Sequence, residues 1–116
     1  MYEYKAKVIK VVDGDTIDVT LDLGFDIFLN ERIRLHGINC PESRTSDKAE
    51  KVKGLASKAF TESKLPVGKE IVLLSKTFSK EKFGRILADI IVDGVNLNEE
   101  LIEEGLALVF MADTNK

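Results

Sequence analysis

From Thr16 to Leu23 the chain alternates without a break, with Ile17, Val19, Leu21 and Leu23 on one side and Thr16, Asp18, Thr20 and Asp22 on the other. A period of two predicts an extended strand with one face buried and one face wet. It excludes a helix, whose apolar stripe recurs near every 3.6 residues. The segment is bounded by turn residues, Asp13-Gly14 before it and Gly24 after it. Lys5 to Val12 is β-branched and apolar and reads as the preceding strand. Ile27 to His36 reads as the following one, with Ile33 and Leu35 turned in and Arg32, Arg34 and His36 turned away. Three strands joined by short loops predict an antiparallel meander.

The pattern then changes. Asp47, with Glu50 three residues on, makes a capping box. Val52, Leu55, Ala56, Ala59 and Phe60 form the apolar stripe of a first helix, which Leu65-Pro66 ends. Lys69 to Ser75 reads as a fourth strand, Thr77 to Gly84 as a polar loop and Arg85 to Val92 as a fifth strand closed by Asp93-Gly94. A second helix runs from Leu97 to Glu104, with Asn96 as N-cap and Gly105 as stop. Leu106 to Met111 is apolar and can pair with the sheet, and the tail from Ala112 is polar. Five strands with a helix between the third and fourth predict a mixed α+β, mainly β fold. Its expected form is a five-stranded Greek-key OB barrel carrying two helices. No repeat or linker divides the chain, so residues 1–116 are expected to form one domain.

Charge narrows the partners. The net charge of −3 argues against bulk electrostatic binding of nucleic acid, so any phosphate site must be local. Lysines cluster at Lys48, Lys51, Lys53 and Lys58 and again at Lys76, Lys80 and Lys82, whereas Glu99, Glu100, Glu103 and Glu104 gather late. No apolar run nears the ~20 residues that cross a bilayer, so no membrane is expected. Cys40 is the lone cysteine, which excludes an intrachain disulfide. The N-terminus lacks the basic-then-apolar pattern of a signal peptide, and a cytoplasmic location is expected over a secreted one.

Three turns carry residues suited to chemistry: Asp13-Gly14-Asp15-Thr16, Arg34 through Glu42, and Lys82-Phe83-Gly84-Arg85. Phosphodiester hydrolysis needs a divalent cation, forked cations on the phosphoryl oxygens and a carboxylate to handle water. Asp15 and Glu42 offer carboxylate oxygens, and Arg34 and Arg85 offer the forks. The absence of a His or Cys pair favours Ca²⁺ or Mg²⁺ over Zn²⁺. Taken one at a time these residues are ordinary: Asp-Gly-Asp is a common turn, Arg34 can be solvated, His36 a strand-face residue, Phe83 a plug and Cys40 a small packing residue.

In order, Val-Val-Asp-Gly-Asp-Thr, Arg-Ile-Arg-Leu-His-Gly-Ile-Asn-Cys-Pro-Glu, Lys-Phe-Gly-Arg-Ile-Leu-Ala and Asn-Glu-Glu-Leu-Ile-Glu-Glu-Gly-Leu-Ala are more specific. Together they resemble the staphylococcal nuclease (thermonuclease) family, from about Lys5 to Met111. The resemblance implies an OB barrel and a Ca²⁺-dependent endonuclease acting on DNA or RNA by water attack on phosphorus. Mg²⁺ or Mn²⁺ are possible substitutes, the preferred substrate is single-stranded, and the protein is a monomer. It implies Asp15 as a metal ligand, Arg34 and Arg85 as phosphate-binding catalytic arginines and Glu42 as base or water positioner. The backbone carbonyl of Cys40 is the implied further ligand, and Lys82 and Phe83 match a Lys-Tyr pair that holds a terminal phosphate.

Two departures matter. Asn39 stands where the family's second metal-ligand Asp is expected, which keeps a carbonyl oxygen and loses a charge. Met111 stands near a Tyr that stacks on the substrate base. The longest members also continue past this point into a third helix. Two rival readings follow: a catalytically weakened nucleic-acid-binding module on the same fold, and an interaction domain without nucleic acid.

Overall fold

The computed structural model describes residues 2–77 and 79–110. Met111 and the tail after it lie outside that set. The elements in order are β1 (Tyr2–Asp13), β2 (Thr16–Asp22), β3 (Phe28–Leu35), β4 (Ile38–Asn39) and α1 (Lys48–Lys64). There follow β5 (Glu70–Ser75), β6 (Ile86–Val92), β7 (Val95–Asn96), α2 (Leu97–Glu103) and β8 (Leu108–Val109).

The long strands close on themselves. The main sheet runs β3-β2-β1-β5-β6-β7, and a parallel pairing of β3 with β6 joins its ends into a five-stranded barrel. The meander of β1, β2 and β3 is antiparallel, as the period-two pattern predicts. β1 serves two partners: β2 from Lys5 to Asp13 and β5 from Tyr2 to Lys7. Its register slips between Val8 and Lys10, leaving Ile9 as an extra residue on the outside while Val8 and Val11 stay in the core. Ile17, Val19, Ile33, Leu35, Leu73 and Ile90 fill the barrel. Leu23, expected on the inner face, lies past the end of β2 and is exposed.

The hairpin after it turns through Phe25 and Asp26, both at positive φ (57° and 61°). That backbone suits the right-handed twist of the flanking strands. β4 pairs with β8 in a two-stranded ribbon, which places Leu108 and Val109 of the expected Leu106–Met111 segment beside the Arg34–Glu42 loop, Met111 itself lying outside the described residues.

α1 departs from the sequence expectation. Its buried residues are Gly54, Ser57 and Thr61, while Val52 is 69% and Leu55 47% exposed. The cause is close approach. A Cβ at Gly54 would stand 2.2 Å from the Glu42 carbonyl oxygen, and one at Gly14 would stand 2.8 Å from the Ser57 Cβ. Only small side chains fit between helix and loops, so the larger apolar residues face out. Phe60 alone of the expected stripe packs on the core. The capping box is half formed. Asp47 accepts from Ala49 and Glu50 amides, but Glu50 reaches across to the Glu42 amide at 3.2 Å. α2 is capped as expected: Asn96 accepts the Glu99 amide, and Gly105 at φ 73° ends it with Leu106 N–H returning to the Leu101 carbonyl.

Candidate active site

The turn between β1 and β2 presents Asp15, a carboxylate 7% exposed. One oxygen accepts the Thr16 hydroxyl at 3.1 Å, and the other accepts the Cys40 amide at 2.8 Å. The Leu35 amide donates to the Asp15 carbonyl at 2.8 Å. The first and second turns are thereby tied by direct hydrogen bonds. Asp13 adds a further tie, accepting both the amide and hydroxyl of Ser43. α1 holds the first turn from behind, Thr61 Oγ1 donating to the Gly14 carbonyl at 2.8 Å, and Ser57 Oγ ties α1 to the segment before β8 by donating to the Leu106 carbonyl at 2.6 Å.

Arg34 sits on the face of β3 opposite Ile33 and Leu35, yet it is 7% exposed and not solvated. Its Nη1 donates to the Leu35 carbonyl at 2.8 Å and lies 3.5 Å from Asp15 Oδ2. Its Nη2 donates to Asn39 Oδ1 at 3.3 Å. The guanidinium thus bridges the two side chains expected to bind a cation, and Phe110 lies across its face at 5.8 Å.

Arg85 enters from the third turn. Its Nε and Nη2 close on both oxygens of Glu81 at 3.1 and 3.0 Å, and Phe83 lies 5.4 Å from the guanidinium. This fork holds the Glu81 carboxyl below its usual range, helped by the Arg85 amide. Part of the donor set expected to meet phosphate is therefore spent inside the loop. Nη1 and the second proton on Nη2 remain.

These side chains meet. Asp13, Asp15, Arg32, Arg34, Asn39, Cys40, Glu42, Arg44 and Arg85 all line one cleft of about 280 Å³. Arg34, Asn39 and Arg85 also line an adjoining groove of about 600 Å³ that runs past Lys80, Lys82, Phe83 and Phe110. Lys82 and Phe83 are exposed there, the ammonium 5.1 Å from the ring. Lys80 is held aside by Glu31 at 2.9 Å.

The donor set fits a hard cation only narrowly. Among the described residues no three of His, Cys, Asp and Glu gather as a metal cluster. The oxygens that these cleft-lining residues carry are the Asp15 carboxylate, the Asn39 amide, the Cys40 carbonyl and the Glu42 carboxylate. All are hard donors that suit Ca²⁺ or Mg²⁺, with one negative charge fewer than an Asp at Asn39 would give. The Cys40 thiol takes no part: burial, then the Asp15 charge, pushes its pKa up to about 12.

The chain matches the family model for staphylococcal nuclease homologues over residues 32–116. The chain belongs to the staphylococcal nuclease homologue family. It is 35% identical to a thermonuclease of Staphylococcus intermedius, over 84% of this chain and 55% of that protein. It is 32% identical to an SPbeta prophage-derived endonuclease of Bacillus subtilis, over 86% of this chain and 32% of the relative. An uncharacterized protein of Methanocaldococcus jannaschii is 31% identical, over 95% of this chain and 61% of the relative. The chain therefore spans roughly a third to three fifths of the length of these relatives.

Four residues of the family member's site are not marked out by the sequence. Glu81 lies four residues before Arg85, but in a loop, where that spacing does not mark an ion pair as it would on a helix. Asp13 reads only as a turn residue, although it anchors Ser43. Phe110 gives no signal because its neighbour Arg34 is distant in sequence. Arg44 looks like one more surface cation.

Proposed function

We propose that this chain is a divalent-metal-dependent nuclease that hydrolyses phosphodiester bonds of DNA or RNA, preferring single strands. The observation that carries this reading is the single cleft lined by Asp15, Arg34, Asn39, Cys40, Glu42 and Arg85. The names of two relatives, an endonuclease and a thermonuclease, support it.

Each side chain has a role that its surroundings suit. Glu42 is exposed and its carboxylate has no partner among the described residues, so it is free to accept a proton from an attacking water. Arg34 is fixed by three oxygens and cannot swing away, which preorganises positive charge for the phosphoryl oxygens. Arg85 is held by Glu81 and brings its remaining N–H groups to the same cleft. Asp15, Asn39 and the Cys40 carbonyl are the proposed cation ligands, Ca²⁺ first and Mg²⁺ or Mn²⁺ as substitutes. When bound, the cation supplies Lewis-acid polarisation of a phosphoryl oxygen. Lys82 and Phe83 lie along the adjoining groove and are proposed to hold the strand beside the reacting bond.

One observation favours a second reading. Arg34 pairs with both Asp15 and Asn39, so the guanidinium partly fills the role a cation would have. A binding module that keeps the cleft but has lost turnover fits that pairing. Cleavage of heat-denatured DNA with Ca²⁺, Mg²⁺ or Mn²⁺ decides between them. The nuclease reading expects wild-type turnover at least about a hundredfold above Arg34→Ala, a size typical of losing one electrostatic donor. Equal rates for the two proteins with every cation would remove it.

A further inference from the structure

Four arginines line the cleft, and three are already engaged. Arg32 grips Asp18 with both Nε and Nη2, at 2.8 and 3.1 Å. Arg34 is held by Asp15, Asn39 and the Leu35 carbonyl. Arg85 is closed on Glu81. Arg44 is different: it is exposed, and its guanidinium has no ion pair or hydrogen bond among the described residues.

Its backbone is nevertheless fixed. The preceding Ser43 is buried and gives both its amide and hydroxyl to Asp13. Gly54 of α1 lies against the same peptide, since a Cβ there would stand 2.6 Å from the Ser43 nitrogen. On the other side Thr45 accepts the Asp47 amide, and Asp47 caps α1. Arg44 thus projects from a pinned segment, which lowers the entropy lost when it grips an anion.

Its position is also one-sided. Arg34, Asn39 and Arg85 line both the cleft and the groove past Lys82 and Phe83, whereas Arg44 lines the cleft alone. A strand lying through the groove and over the shared residues therefore meets Arg44 on the far side. We propose that Arg44 is a phosphate-binding subsite for a nucleic-acid strand, taking a backbone phosphate that flanks the reacting bond on the side away from the 77–84 loop. This rests on the nuclease reading for the reaction but not for the binding. The unpaired guanidinium suits such a contact, since no existing ion pair must break before it forks onto phosphate.

The test uses a short single-stranded oligothymidylate with wild type, Arg44→Ala and Arg44→Lys. Binding is measured without metal across a salt series, and cleavage is measured with Ca²⁺. Loss of one phosphate contact should make the slope of log K against log salt shallower by about 0.7 for Arg44→Ala. Arg44→Lys should restore the slope, because it keeps the charge. KM should rise about tenfold for Arg44→Ala, with a smaller change in kcat. Unchanged slope and KM overturn the subsite while leaving a cleaving wild type a nuclease. A changed slope with unchanged KM also overturns it, since the phosphate bound would lie off the reaction path. A shallower slope for Arg44→Ala, beside a wild type that leaves the strand uncut with Ca²⁺, Mg²⁺ and Mn²⁺ alike, keeps the subsite and sinks the nuclease reading.

Discussion

Asn39 is the residue on which the proposed cation affinity turns. Its amide oxygen faces the Arg34 guanidinium at 3.3 Å and contributes no charge. Asn39→Asp adds a carboxylate to the cleft, and Ca²⁺ affinity measured by calorimetry should rise about tenfold, or 1.4 kcal/mol. Superimposable titrations would remove Asn39 from the ligand set. Cys40 gives a second expectation. With its pKa pushed up to about 12 by burial, the thiol stays protonated and covered. Iodoacetamide at pH 8 should label the native protein far more slowly than the urea-unfolded one, and equal rates would contradict the packing against Gly14. Glu81 carries a pH dependence. Its pKa is lowered in the folded state, mainly by the Arg85 side chain, so its stabilising contribution is present above the unfolded value and lost as pH falls through the folded one. The stability gap between wild type and Glu81→Gln should be open at pH 6 and should close below about pH 4. A gap that widens toward acid would be the wrong sign.

At the scale of elements, α1 decides how the turns meet. Gly54→Ala gains about 1 kcal/mol of helix propensity. Against that, its Cβ would lie 2.2 and 2.3 Å from the Glu42 carbonyl oxygen and carbon, both backbone atoms that cannot rotate away. Overpacking costs ~1–3 kcal/mol, so a net loss is expected on chemical unfolding, together with slower cleavage because Glu42 shifts with the helix. A more stable Gly54→Ala would show that helix and loop are not in contact as described. This is also where sequence reasoning fails. A stripe of Val52, Leu55, Ala56 and Ala59 is what a helix normally buries. Here the helix lies so near two loops that only Gly54, Ser57 and Thr61 fit between them. That constraint comes from residues far away in sequence, Gly14 and Glu42, so no local period could reveal it. The caps of both helices and the alternation of β2, being local, are legible.

For the whole molecule, the barrel follows from the order of the elements, because the five long strands and the turns between them are marked locally, β2 most clearly by its two-residue alternation. Closure through the parallel β3–β6 pairing brings Arg34 beside Leu87 and sets the third turn next to the other two. The candidate site is legible as three motifs in order. What the residues do not disclose is how far they satisfy one another: Arg85 on Glu81, and Arg34 on Asp15 and Asn39. Those pairings arise only after folding. The proposed chemistry therefore depends on three turns acting as one site, and amide NMR tests that most directly. A single-stranded phosphorothioate oligonucleotide is titrated into the ¹⁵N-labelled protein in the presence of Ca²⁺. The amides of Asp15, of Asn39 through Arg44, and of Lys82 through Arg85 should shift together along one binding curve. Shifts confined to one turn, or following different affinities in different turns, would contradict it.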